Sequence, residues 1–282
     1  MEINCFGDGL TEGTACGCMM SYTQMLEGFT GLKVNNYGIS GESSFTVGSR
    51  IGALPITLLA PMELGGKSGI KTPVALGDIF KQPVEILKST HAGGDDLINP
   101  VKIGGVEGVL SRCDNIFYFE RKDDGEAVVI PTGTNVITRL SQKDCSGDIN
   151  IFWVGTNDHA STDNAIAVIS NLHAMIDFTG SSKYIVIGLT AKSVLPQIKE
   201  VNEMLAKEFG EHFYDFSAYV LGMPVSKENN PFYVQDVNDV ENGDIPTGLM
   251  KAPGIDHIHG NEKFYALLGA EIYGRLKALS YI

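Results

Sequence analysis

Glu2-Ile3-Asn4-Cys5-Phe6-Gly7-Asp8-Gly9-Leu10-Thr11-Glu12-Gly13 decides how the rest of the chain folds. Residues 2–6 read as a short buried strand, and Gly7-Asp8-Gly9 ends it in a turn. A helix is expected next over residues 14–28, carrying Met19, Met20, Tyr22 and Met25. Strand, glycine turn and helix form the first half of a βαβ unit.

The same rhythm continues outward. Further strands are expected over 33–37, 148–154, 183–189 and 212–216. Helices are expected over 162–177, with Ile166, Ile169, Leu172, His173 and Ile176 on one stripe, over 195–209 with Ile198, Val201, Leu205 and Phe209, and over 261–279. Alternation with crossover-length connections implies a parallel sheet with helices on both faces, an α/β fold whose ligand crevice lies beyond the carboxyl ends of the strands. Gly9, Gly41 and Asn157 all follow such strand ends. On the apolar stripe, His173 reads as a hydrogen-bonded core histidine. Asp8 and Asp158 read as braces that hold turns by side-chain to backbone hydrogen bonds.

Residues 52–147 break the rhythm. Gly65-Gly66, Gly93-Gly94, Gly104-Gly105 and prolines 61, 73, 83, 100 and 131 punctuate short β-type runs at 84–87, 115–120, 127–130 and 135–139. Such spacing predicts a small antiparallel β subdomain inserted into a core made of residues 1–51 and 148–282. Two roles stay open for it: a wall or lid that selects a bulky substrate, or a packing or oligomerisation module. Residues 226–251, rich in Asn, Asp, Gly and Pro, read as a long lid-like loop in which Phe232, Tyr233 and Met250 supply apolar contacts.

Four separated blocks resemble the SGNH (GDSL) hydrolase family. They are Gly7-Asp8-Gly9-Leu10, Asn36-Tyr37-Gly38-Ile39-Ser40-Gly41-Glu42, Gly155-Thr156-Asn157-Asp158 and Asp256-His257-Ile258-His259. The resemblance implies a flavodoxin-like three-layer fold and a carboxylic ester hydrolase, most plausibly a deacetylase of O-acetylated carbohydrate. It places Asp256 and His259 as the acid and base of a triad. It places the N–H groups of residues 9 and 41 and the amide of Asn157 as donors to the oxyanion. At the nucleophile position the family has serine and this chain has Gly9. His257 reads as a rim residue and His159 as lining the crevice.

The chemistry accounts for those residue types. A hydroxyl attacks an ester only when an imidazole takes its proton and a carboxylate fixes that imidazole's tautomer. Charge then builds on the carbonyl oxygen, and donors aimed at it supply much of the rate enhancement. Glycine keeps the donor N–H of residue 9 and deletes the attacking oxygen, so the chain is expected to be inactive. Cys16 stands about 10 Å along a helix from residue 9, and Thr11 and Ser40 lie near the pocket without occupying the nucleophile's place. Two histories fit. Either an esterase has had its serine exchanged, which the retained Asp256, His259, Asn157 and Gly41 favour, or a natural pseudoenzyme binds glycan without cleavage. A lipase or thioesterase is the remaining alternative.

Composition narrows the partners. A 282-residue chain with 43% hydrophobic side chains buries a full α/β core and leaves room for a second module. A net charge of −13 opposes a phosphate-backbone footprint, so nucleic acid is not expected as a partner. No basic start followed by an apolar run marks a signal peptide, and no run of about 20 apolar residues marks a membrane span, so a soluble protein made in the cytoplasm is expected. Cys5, Cys16, Cys18, Cys113 and Cys145 form no metal-ligand pattern, and neither metal nor organic cofactor is expected.

Overall fold

Ile3–Gly7 (β1) is an interior strand of a five-stranded parallel sheet, and all five of its residues are buried. The computed structural model describes residues 1–13, 21–86, 98–159, 161–190, 197–252, 255–256 and 258–282. Expectations that fall on residues 14–20 (with Cys16, Cys18, Met19 and Met20), Leu87, Gly93-Gly94, residue 195 and His257 lie outside the described residues.

On either side of β1 run Val34–Gly38 (β2) and Ile149–Trp153 (β3), followed outward by Tyr184–Ile187 (β4) and Phe213–Tyr214 (β5). Read from one edge the order is β2-β1-β3-β4-β5, the flavodoxin-like arrangement. The order reverses between β1 and β3. Right-handed crossovers therefore send the helices before and after this point to opposite faces, which makes the fold three-layered.

Alternation along the strands separates the two faces of the sheet. Ile3 and Cys5, Ile149, Ile151 and Trp153, and Ile185 and Ile187 share one apolar core with Tyr22 and Leu26 of helix Tyr22–Thr30, Phe216 and Val220 of helix Phe216–Leu221, and Phe264, Tyr265, Leu268 and Ile272 of helix Glu262–Ala278. Gly269 lets the first and last of these helices approach, because a Cβ there would stand 2.7 Å from Met25 Cβ. On the other face, Phe6 stacks between Tyr37 and Phe152 at centroid distances of 5.3 and 5.4 Å. One layer further down, Asn35 Nδ2 donates to Asn4 Oδ1 (2.9 Å), and Asn4 Nδ2 donates to Asn150 Oδ1 and Asp148 Oδ2 (both 3.1 Å). This row of amides follows the strand register, in which Asn4 faces Asn35 and Asn150.

The β-rich segment between β2 and β3 forms a second compact unit, Phe45–Asp144 with His173–Phe178. Its main sheet is antiparallel, in the order Val136–Ile137, Val101–Ile103, Val106–Cys113, Ile116–Arg121, Lys71–Val74. It has a core of its own, including Ile56, Leu58, Ile86, Ile103, Leu110 and Phe119. The longest hairpin turns at Asp114-Asn115, both at positive φ (48° and 66°), as a two-residue turn matching strand twist requires. Buried Arg121 donates to the carbonyls of Gly65, Asp123 and Glu126 at 2.7 to 3.0 Å and so ties three loop carbonyls together.

Several expectations need correction. Asn115 belongs to the turn, so its strand begins at Ile116, and residues 84–86 form no strand. Helix Thr162–Thr179 buries Ala165, Val168, Leu172 and Met175. Ile166 is 64% exposed and His173 is exposed, so neither lies in the core. Apolar residues occur on both sides of this helix: Leu172 of the expected stripe is buried, while the rest of the buried side runs through Ala165, Val168 and Met175, one position before Ile166, Ile169 and Ile176. Residues 226–251 are not a loop throughout: Tyr233–Glu241 is helical, and Met250 is buried in the core.

Asn4→Ala removes the central amide of the row and leaves buried Asn150 on one neighbouring strand and half-buried Asn35 on the other each short of a hydrogen bond. A loss of about 2 kcal/mol is expected, measured as a lower urea midpoint at unchanged m-value.

Candidate functional site

The register between β1 and β3 sets the site. Gly7 lies opposite Trp153 and Gly38, so the three strands end at one level and their loops leave the sheet together. Asp8 caps the short helix Gly9–Glu12 by accepting the Leu10 N–H through Oδ1 at 2.9 Å. Gly9 is buried as the first residue of that helix, outside the left-handed region of φ, so its backbone would accept any side chain. A Cβ there would stand 3.0 Å from Ser40 Oγ and 3.3 Å from Ser40 Cα, so a larger residue needs Ser40 to give by a few tenths of an ångström.

The loop after β2 is held from two sides. Ser40 N–H donates to Glu12 Oε2 at 2.7 Å, and Ser44 donates through N and Oγ to Asp158 at 2.8 and 2.6 Å. Gly41 has φ 81°, where a side chain is disfavoured, and no described residue beyond its two chain neighbours comes within 4 Å of the place its Cβ would take. The loop after β3 turns at Gly155 into a single 3-10 turn, Thr156–Asp158. Asn157 Nδ2 donates to the Glu42 carbonyl at 2.9 Å and lies 3.4 Å from Asp8 Oδ2. One amide therefore joins all three loops. Among the described residues its second proton has only the long contact to Asp8. Asp8 and Asp158 act as the braces expected of them. His159 is exposed beside them.

The Asp256–His259 segment is presented by a pinned loop. Asn261 N–H donates to the Leu249 carbonyl at 2.9 Å, its side-chain amide to the Gly248 carbonyl at 2.9 Å, and its Oδ1 caps helix Glu262–Ala278 at Lys263 and Phe264. Asp236 and Asp239 of the preceding helix accept from the N–H groups of Gly248 and Thr247, both at 2.7 Å. Sequence reading missed Asn261, Asp236 and Asp239; the only signal was Asn-Glu directly before a helical run. Within the loop, Asp256 Oδ1 accepts the N–H groups of Ile258 (3.0 Å) and His259 (2.9 Å), while Oδ2 lies 2.9 Å from His259 Nδ1. An ionised carboxylate only accepts, so Nδ1 carries a proton and Nε2 is left as the basic nitrogen. Burial pushes the Asp256 carboxyl up, but the His259 and Ile258 N–H groups and the imidazole outweigh it and hold the carboxyl below its ordinary value.

Tyr265 is buried, and its phenol is raised above its ordinary value by burial first and then by the charges of Asp8 and Asp256. Around the strand ends the carboxylates crowd one another. Burial, with Asp158 and Glu42 close by, pushes Asp8 up to about 7 despite the Leu10 N–H, and burial raises Asp158 as well. The Cys5 thiol, buried below the turn, is pushed up to about 12 by desolvation. Cys5, Cys113 and Cys145 take part in no disulfide. No helix among the described residues is long and apolar enough to cross a membrane.

No family model matches the chain. It is 23% identical over 238 residues to a tail spike protein of Salmonella phage epsilon15, a match covering 70% of this chain and 22% of that protein's length. Among solved structures it is similar to a lipase/acylhydrolase from Enterococcus faecalis (TM-score 0.48, 16% identity, 99% and 96% of the two chains). It is also similar to a member of the lipolytic protein G-D-S-L family from Veillonella parvula DSM 2008 (TM-score 0.45, 16% identity, 97% of each chain). A third similarity is to a peptidoglycan O-acetylesterase (TM-score 0.40, 10% identity, 99% and 91%).

The raised Asp8 carboxyl gives a signed pH dependence. An acid of this kind binds its proton more tightly folded than unfolded, so its contribution to stability is whole below about pH 4 and is lost as pH rises through about 7. Stability should fall over that window by up to about 1.4 kcal/mol per pH unit. Asp8→Asn should flatten this part of the slope in urea titrations at stepped pH, leaving the smaller share from Asp158.

Proposed function

We propose that this chain has the site of an SGNH-type serine esterase directed at an O-acetylated carbohydrate, with glycine where the attacking serine would stand. The observation that carries the proposal is the Asp256–His259 pair. Its carboxylate is locked by two backbone N–H groups and holds Nδ1 at 2.9 Å, leaving Nε2 as a general base of fixed tautomer. The N–H of Gly41 and the amide of Asn157, whose second proton has only the long 3.4 Å bond to Asp8 to give up, are suited to receive an oxyanion beside the N–H of residue 9.

In this reading, the ester carbonyl sits over the ends of β1, β2 and β3. Its oxygen faces the donors of residues 9, 41 and 157, and its leaving group faces His259. Gly9 supplies a donor and no oxygen. Loss of a nucleophile in a comparable serine hydrolase costs on the order of a million-fold in turnover, so the chain binds its ester and does not cleave it through residue 9. The likeness to a phage tail spike protein supports a surface glycan as ligand. Together with Gly9 it also favours a second reading, a glycan-binding module without catalysis.

Gly9→Ser separates the two. The esterase reading expects turnover of p-nitrophenyl acetate and acetate release from acetylated sugars at least roughly a thousand-fold above the parent, abolished by a serine-directed reagent. In that background Asp256→Asn should lower kcat by roughly ten-thousand-fold, as loss of the correct tautomer does in a triad. A folded Gly9→Ser protein with no reagent-sensitive turnover, but with binding of the same sugars by calorimetry, would establish the binding module instead. Activity that climbs with acyl chain length would reassign the substrate to lipids.

A further inference from the structure

The hydroxyl of Ser40 stands beside the seat that residue 9 leaves without an oxygen. A Cβ on Gly9 would lie 3.0 Å from Ser40 Oγ, and a serine's own oxygen would be one bond beyond that Cβ. Ser40 is half-buried, its N–H is fixed by Glu12 Oε2 at 2.7 Å, and among the described residues its hydroxyl makes no hydrogen bond. The N–H that follows it in the chain is that of Gly41, at φ 81° and with no described residue beyond its chain neighbours within 4 Å of the place its Cβ would take. A hydroxyl next to an oxyanion donor, uncommitted and anchored through its backbone, has what a nucleophile needs apart from its base.

We propose that Ser40 Oγ is the nucleophile of acyl transfer in this chain as it stands, a step that rests on the esterase reading of Asp256, His259 and Asn157. The Ser40 oxygen forms a bond to the ester carbonyl carbon while its proton passes to His259 Nε2, and the carbonyl electron pair moves to the oxygen held by Gly41 N–H and the Asn157 amide. Collapse of this adduct breaks the bond to the alcohol, which leaves with the proton from His259. Water, deprotonated by the same imidazole, then cleaves the acyl-Ser40 ester, releasing the acid and restoring the hydroxyl. No co-reactant beyond water is needed. Ser40 stands to one side of the residue 9 seat, and a misplacement of about 1 Å costs on the order of a hundred-fold. Turnover through Ser40 is therefore at least roughly a hundred-fold below that of Gly9→Ser.

The test is to treat the unaltered protein with a fluorophosphonate, digest it and locate the modified residue by mass spectrometry, alongside hydrolysis of p-nitrophenyl acetate. Phosphonylation of Ser40 is expected, lost in His259→Ala, with turnover falling at least roughly ten-fold in Ser40→Ala (a factor of ten being about 1.4 kcal/mol in the barrier). An unaltered protein that stays unmodified, or is modified at another residue, overturns the proposal, and this readout needs no variant to fold. Gly9→Ser run in parallel keeps the two ideas apart. Modification at residue 9 there, with none at Ser40 in the parent, preserves the esterase reading and removes this one, whereas an unmodified Gly9→Ser protein removes the esterase reading on which it rests.

Discussion

The side-chain amide of Asn157 is the joint on which the site depends. It reaches the Glu42 carbonyl in the loop after β2 and lies against the Asp8 carboxylate in the loop after β1, so three loops from three strands are held by one group. It can do so because β1 and β3 are in register, Gly7 opposite Trp153, and both strands are buried along their whole length. A slip of one residue would turn every side chain to the other face and carry Asn157 away from Asp8. The asparagine row and the phenylalanine stack on one face of the sheet, and the isoleucine-rich core on the other, both oppose such a slip.

Electrostatics at the strand ends and at the histidine loop pull in opposite directions. Asp8 and Asp158 are desolvated close together, and the folded state favours their protonated forms. Asp256 is partly exposed and accepts two backbone N–H groups, so the folded state favours its charged form. Carboxylates of one type are thus divided between bracing and orienting an imidazole, according to how many donors face them and how much water remains.

Some of this was legible in the residues. The strands stood out because a parallel sheet covered on both faces needs largely apolar runs, which a single asparagine in Ile3–Gly7 and in Ile149–Trp153 does not hide, and the Gly-Asp-Gly turn, the Gly-x-Asn-Asp segment and Asp256 with His259 stood out by their residue types and spacing. The asparagine row was invisible, since an amide counts as polar in any pattern until a neighbouring strand supplies its partner. Helix Thr162–Thr179 was found with Leu172 on its buried side, but Ile166 and Ile169 are as apolar as Val168 and only packing decides which of them is covered. The Tyr233–Glu241 helix was lost among Asn, Asp and Gly residues, two of which, Asp236 and Asp239, are spent fastening it to the segment that leads to His259.

By itself the sequence determined the alternation of elements and the residue types at the strand ends, because hydrophobic period and backbone chemistry are local properties. Only the tertiary structure decided which groups share a space: Asn157 with Asp8 and Glu42, and Ser40 with the side of Gly9 that carries no Cβ. Asn157 is 149 and 115 residues of chain from Asp8 and Glu42, and Ser40 is 31 from Gly9, and only strand register and the packing of loops on a finished sheet bring them within a few ångströms.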